Sequence, residues 1–206
     1  KVGMELYYAA GNEIIKFLKD QGKQVFVDLK LQDIPNTVAG ALKVLTALGV
    51  DIINVHAVGG PKMLQAARAA VTEQAAALKI QAPRLIAVTI LTSMDAAQFA
   101  ALNYKNTIPE QVVALARLAR ECGLDGVVAS PLEAAAIRQA CGPDFLIVTP
   151  GVRPAGAAQG DQSRVATPAG AIKNGASHIV VGRPITQAAD KKAAAAAIVA
   201  EIRNVK

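Results

Sequence analysis

Short apolar runs alternate along this chain with longer Ala-rich stretches of helical spacing, and that alternation constrains the fold more than any other feature. The runs are Val25–Asp28, Ile52–His56, Leu85–Leu91, Gly126–Ala129, Phe145–Thr149 and His178–Val181. They are rich in Val and Ile and mostly continuous, as strands buried on both faces are. The intervening stretches carry helix punctuation. Asn12–Gln21 places Ile14, Ile15, Phe17 and Leu18 on one side and stops at Gly22, and Asn36–Leu48 stops at Gly49. Pro109 suits a first turn, Val112, Leu115 and Leu118 form a stripe, and Gly123 ends it. Gly142 and Gly175 close two more helices, and Asp190 caps the last.

Repeated strand–helix units imply parallel strands joined by right-handed crossovers. A further strand ends near Val2, because the opening KVGMEL reads as a strand's tail. One more strand upstream closes a (β/α)8 TIM barrel, so the expectation is an α/β fold in which residues 1–206 form a single barrel domain lacking its first strand and helix. A doubly wound open sheet is the competing architecture. Its nucleotide-binding forms favour G-x-G-x-x-G after an early strand, and none is present.

Composition agrees with a buried parallel sheet. Hydrophobic residues make up 52% but aromatics only 3%, so Ala, Val, Ile and Leu must build the core. The net charge of +6 suits an anionic ligand, yet Lys and Arg are scattered and no aromatics alternate with them, which argues against nucleic acid as a partner. Cys122 and Cys141 lack metal or redox spacing and read as reduced thiols of a cytoplasmic protein. No apolar run is long enough to span a bilayer, and no signal peptide opens the chain, so no membrane partner is expected.

In barrels the chemistry sits where strands end and the following loops begin, which directs attention to Asp28, Lys30, His56, Thr92, Ser130, Pro150 and Gly182. The stretch VDLKLQDIPNT is the most unusual of these ends, since a strand of buried type runs straight into Asp28, Lys30 and Asp33. In extended chain Asp28 and Lys30 share a face, and an Asp beside a Lys keeps both charged, so that Lys30 can donate a proton. A plain surface ion pair, worth about 0–1 kcal/mol, is the bland alternative. It accounts poorly for a third charge just before a Pro-containing turn.

Two later segments suit phosphate. VTPGVRP breaks its strand at Pro150 and Gly151 and offers the guanidinium of Arg153. VVGRPIT offers Gly182 for close backbone approach and then a helix start. Thr92 and Ser93 could bind a ligand or cap the next helix. His56 and His178 read as structural histidines, and no metal-ligand or Ser–His–Asp grouping is evident. Residues 151–162, with several Gly and Ala, suit a lid that closes on phosphate.

The ten residues DLKLQDIPNT closely resemble the signature of the orotidine 5′-phosphate decarboxylase family, which catalyses the last step of UMP synthesis. KVGMEL, NVHA, LTS, TPGVR, DQSR and VGR follow in family order along nearly the whole chain; Gln32 departs from the His of many bacterial members. The resemblance implies a homodimeric carboxy-lyase that decarboxylates orotidine 5′-monophosphate without metal or organic cofactor. It implies a charge network of Lys1, Asp28, Lys30 and Asp33, with Lys30 as proton donor. Asp33 and Thr37 would reach into a neighbouring subunit's site, and the remaining signature residues Leu29, Leu31, Gln32, Ile34, Pro35 and Asn36 would line the substrate. Thr92 would contact the pyrimidine, and Pro150, Arg153, Gln162, Gly182 and Arg183 would hold the phosphate end. The competing readings are a Mg-dependent keto-sugar phosphate decarboxylase or hexulose-phosphate synthase, which shares the Asp-x-Lys-x-x-Asp pattern, and an inactive nucleotide-binding protein.

Overall fold

The computed structural model describes residues 1–154 and 165–205. They fall into two compact units, Lys1–Val88 with Leu118–Gly126, and Thr89–Arg117 with Val127–Lys206.

The first unit runs β1 (Val2–Gly3), α1 (Met4–Asp20), β2 (Phe26–Leu31), α2 (Pro35–Ala47), β3 (Ile52–His56), a 3-10 turn (Ala57–Gly59), α3 (Gly60–Leu78) and β4 (Arg84–Val88). The strands lie in the order β1-β2-β3-β4 and every pairing is parallel. Successive residues such as Leu85, Ile86 and Ala87 are all buried, which is the two-sided burial that continuous apolar runs require. The helices add Ile15, Leu42, Met63 and Leu64 to this core, and α2 packs chiefly on α3. Two carboxylates tie strand starts to their surroundings. Asp51 accepts from Val25 N at 2.7 Å and Lys19 Nζ at 2.8 Å, and Asp125 accepts from Leu85 N at 2.7 Å and from the guanidinium of Arg68.

The register of this sheet is regular except at one place. Ile52 to His56 pair in step with Arg84 to Val88. Between β2 and β3, however, Val27 pairs with Ile53 and Leu31 with Val55, so four steps of β2 advance against two of β3. The excess is a bulge containing Asp28, Leu29 and Lys30, and Lys30 carries a left-handed backbone at φ 54°.

The second unit contains α4 (Ala96–Ala100), most of α5 (Ile108–Glu121), then β5 (Gly126–Val128), α6 (Ala134–Cys141), β6 (Leu146–Thr149), α7 (Pro168–Lys173), β7 (His178–Ile179), α8 (Arg183–Thr186) and α9 (Lys191–Arg203). Its strand order is β5-β6-β7, with β6 and β7 parallel. Val152, Ala171 and Ala176 are buried together with Ile179 and Val181 packed on them. Arg138 binds the carbonyls of Gly142, Pro143, Phe145 and Gly175 through its guanidinium, which fixes the chain on either side of β6.

Several elements depart from the expected bounds. α1 is two helical pieces broken at Gly11, whose φ of 59° and ψ of −150° no helix accommodates; a piece from Met4 precedes the break, and the piece after it starts at Asn12 as expected. Within it Ile15 is buried but Phe17 is 58% exposed, so the apolar stripe is narrower than its composition indicates. β2 continues past Asp28 to Leu31, because the bulge lets the charged residues stay in the strand. β4 stops at Val88 rather than Leu91, and β7 at Ile179 rather than Val181. α4 is capped by Asp95, which accepts from Gln98 N at 2.8 Å, and not by Ser93. Asp190 caps α9 as expected, accepting from Ala193 N at 2.8 Å.

Candidate functional site

The charged residues at the end of β2 form a closed network. Asp28 is nearly buried, and its carboxylate is shared among three donors. Lys1 Nζ reaches Oδ2 at 2.7 Å, while Lys30 Nζ and Asn54 Nδ2 reach Oδ1 at 2.8 and 2.7 Å. β1 pairs with β2 so that Gly3 stands beside Asp28, and a Cβ on Gly3 would come within 3.3 Å of Lys1 Nζ. Glycine there leaves the ammonium room.

Burial by itself pushes the Asp28 carboxyl upwards, but hydrogen bonds from Lys1 and Lys30, the charge of Lys1 and the amide of Asn54 outweigh it. The net direction is downward, so Asp28 is an anion. His56, at the end of β3, is held below its ordinary value first by burial and then by the positive charge of Lys30, with Asp28 opposing. It is neutral at pH 7. The arrangement therefore fixes two ammoniums, Lys1 and Lys30, against one carboxylate, with a neutral imidazole in the same field.

The rest of the β2 signature behaves differently. Leu29 is buried and Leu31 half-buried, whereas Gln32, Asn36 and Thr37 are exposed and Ile34 is 66% exposed. Pro35 opens α2 and Thr37 N bonds to Ile34 O at 3.1 Å. Asp33 is exposed, and its Oδ1 accepts from Ile34 N at 2.6 Å. Among the described residues no ion pair joins Asp33 to Lys30; the ion pair of Lys30 is with Asp28.

In the second unit the candidate anion-binding residues sit just after strand ends. Thr149 is fully buried at the end of β6, and its carbonyl accepts from Val180 N at 2.9 Å. Pro150 is half-buried, and Arg153 is only 8% exposed, with its Nη1 donating to Val152 O at 2.9 Å and its backbone N to Ala166 O at 2.9 Å. Gly182 and Arg183 are exposed where β7 gives way to α8, and a Cβ at Gly182 would meet open space. α8 is a single turn of four residues, so it offers much less of a helix start than expected. Thr92 and Ser130 are buried and Ser93 is exposed. Gln162 and most of the expected lid lie outside the described residues. Among the described residues, no group of three or more His, Cys, Asp or Glu could hold a metal ion, and no helix is long and apolar enough to cross a membrane.

Comparison with known proteins settles the family. Residues 1–198 match the model of the orotidine 5′-phosphate decarboxylase / HUMPS family. The chain belongs to that family. It is 60% identical, over its whole length and 82% of the relative, to the orotidine 5′-phosphate decarboxylase of Moorella thermoacetica, and 53% identical to that of Trichlorobacter lovleyi over 98% and 83% of the two chains. The crystal structure of orotidine 5′-phosphate decarboxylase from Lactobacillus acidophilus superposes with a TM-score of 0.85 at 44% identity, covering 98% of this chain and 85% of that one. The Pyrococcus horikoshii enzyme does so with a TM-score of 0.74 at 29% identity, covering 99% and 86%. The expected α/β fold of TIM-barrel type and the carboxy-lyase class both stand on these likenesses.

Within this orotidine 5′-phosphate decarboxylase / HUMPS family member, the structure brings together Lys1, Asp28 and Lys30 as anticipated, though not by simple strand alternation, since the bulge and the left-handed Lys30 produce the contact. It also contributes Asn54, the first residue of the NVHA stretch. The signal for Asn54 was present: one amide inside the continuous apolar run IINVH, where a buried polar group must find partners.

Proposed function

We propose that the protein decarboxylates orotidine 5′-monophosphate to UMP, without metal or organic cofactor, and that Lys30 is the proton donor. The observation that carries this reading is the ammonium of Lys30 held at 2.8 Å from the buried anion Asp28, on a chain of this family. In the reaction the bond from C6 of the pyrimidine to its carboxylate breaks, CO2 leaves, and the electron pair remains on C6. An ammonium fixed beside C6 stabilises that developing charge and delivers its proton there, after which solvent reprotonates the amine. Asp28, itself held by Lys1, keeps the Lys30 side chain in place. Thr92 contacts the pyrimidine, while Pro150, Arg153, Gln162, Gly182 and Arg183 hold the phosphate, whose binding energy, remote from C6, supports the organised site.

Asp33 completes the network of a second copy of the chain. Its exposure beside Ile34 and Thr37, away from its own Lys30, supports a homodimer with shared sites.

The test is to mix the full-length protein with orotidine 5′-monophosphate and a chelator and to follow pyrimidine absorbance. Conversion by the parent and not by Lys30→Ala is expected. The family also carries the HUMPS name, and loss of activity on chelation, or turnover of a keto-sugar phosphate instead, would favour that branch. Binding of UMP with no turnover by the parent would make the chain a nucleotide-binding protein.

A further inference from the structure

Lys30 is a non-glycine residue in the left-handed region, φ 54°, inside the bulge that breaks the β2–β3 register. Such a backbone is strained for a residue with a side chain and persists only where the surroundings impose it. The imposing group is Asn54. Its side chain is 1% exposed, and its two polar ends are used on two different residues. Oδ1 accepts from the backbone N of Lys30 at 2.8 Å, and Nδ2 donates to Asp28 Oδ1 at 2.7 Å. A side-chain amide thus takes the place of the ladder bond that the bulge removes, and the same amide holds the carboxylate that Lys30 Nζ reaches.

We infer that Asn54 is a positioning residue for the decarboxylation: it locks the left-handed turn at Lys30 and the carboxylate of Asp28 as one unit, so that the ammonium is aimed before substrate arrives. This inference rests on the decarboxylase reading for its catalytic part and on the geometry alone for its structural part. Asn is suited to the place because a single neutral side chain must donate to an anion and accept from an amide at once. The charged and titratable groups around it are Asp28 and Lys30 on β2, Lys1 before β1 and His56 on its own strand.

Asn54→Ala removes both bonds, and Asn54→Asp keeps the shape and the acceptor but loses the donor until its carboxyl is protonated. With orotidine 5′-monophosphate as substrate, kcat of Asn54→Ala falls about 100-fold, as misplacement of a reacting group by about 1 Å does. KM and calorimetric affinity for UMP stay within about threefold, because the lost interaction acts in the transition state. Asn54→Asp recovers kcat relative to the parent as pH is lowered and its hydroxyl becomes a donor to Asp28. Crystal structures of both variants show whether Lys30 leaves φ 54° and whether its contact to Asp28 lengthens beyond hydrogen-bond range in Asn54→Ala. A parent-like kcat in Asn54→Ala, a loss confined to KM, or a Lys30 that keeps its backbone and its contact overturns the inference. A parent that turns over no orotidine 5′-monophosphate defeats the decarboxylase reading instead, and the crystal structures then still decide whether Asn54 sets Lys30. Should Asn54→Ala not fold, the near-isosteric Asn54→Asp carries the same comparison.

Discussion

Replacing Asp28 by Asn tests whether the charge network stabilises the fold as well as equipping it. Asn is close in shape to a protonated Asp, so the substitution mimics full protonation of this one group. The Asp28 carboxyl is held below its ordinary value, which means that its charge is favoured more in the folded than in the unfolded chain, burial notwithstanding. Removing the charge must therefore destabilise at neutral pH. A hydrogen bond to a charged group is worth about 1.5–3 kcal/mol. The Lys1 and Lys30 side chains are 34% and 25% exposed, however, so solvent screens both pairs and rehydrates both ammoniums on release. A net loss of about 1–2 kcal/mol remains, or about 2–8 °C in Tm for a chain of this size.

The pH dependence has a definite sign. A carboxyl with a depressed folded pKa contributes stability that is complete above its unfolded value, about 3.9, and is lost as pH falls through the folded value. The gap between parent and Asp28→Asn is thus full at pH 7 and closes below the ordinary carboxylate range. Urea unfolding followed by circular dichroism, from pH 7 to pH 3, measures it. Equal stability at pH 7, or a gap that persists undiminished at pH 3, would refute the reasoning.

Mixing inactive Lys30→Ala with inactive Asp33→Asn restores part of the activity if each shared site takes Lys30 from one chain and Asp33 from the other; no recovery on mixing, with dimers that exchange subunits, rejects the shared site. Arg183→Ala raises KM for orotidine 5′-monophosphate about 10- to 100-fold, as loss of a charged hydrogen bond does, and leaves uridine affinity unchanged. An equal loss for uridine removes phosphate from the explanation. Asp190→Ala deletes the cap on Ala193 N at the start of α9 and lowers stability by about 1 kcal/mol, with kcat unaltered. Thermal melts beside turnover assays check both halves.

The parallel α/β order of this chain was legible because it depends on local pattern. Continuous Val and Ile runs mark strands such as Ile52–His56, found where expected, and glycines such as Gly49, φ 68°, stop helices by a conformation that other residues resist. The ends of β4 and β7 were not legible, since apolar residues such as Leu91 and Val181 continue past the last pairing and pairing depends on the neighbouring strand. The signature stretch likewise announced that Asp28 and Lys30 belong together.

The sequence by itself thus determined the order of elements and the chemical identity of the site: a carboxylate and two ammoniums, with phosphate-suited loops further on. Only the tertiary structure decided how Lys30 is aimed. That depends on register, the advance of four residues of β2 against two of β3, and on Asn54, 24 positions away along the chain, which meets both Lys30 and Asp28. Local propensity cannot encode such a meeting, because a bulge and a left-handed lysine are each unfavourable alone. They become the stable choice when the partner strand supplies a buried amide that satisfies them.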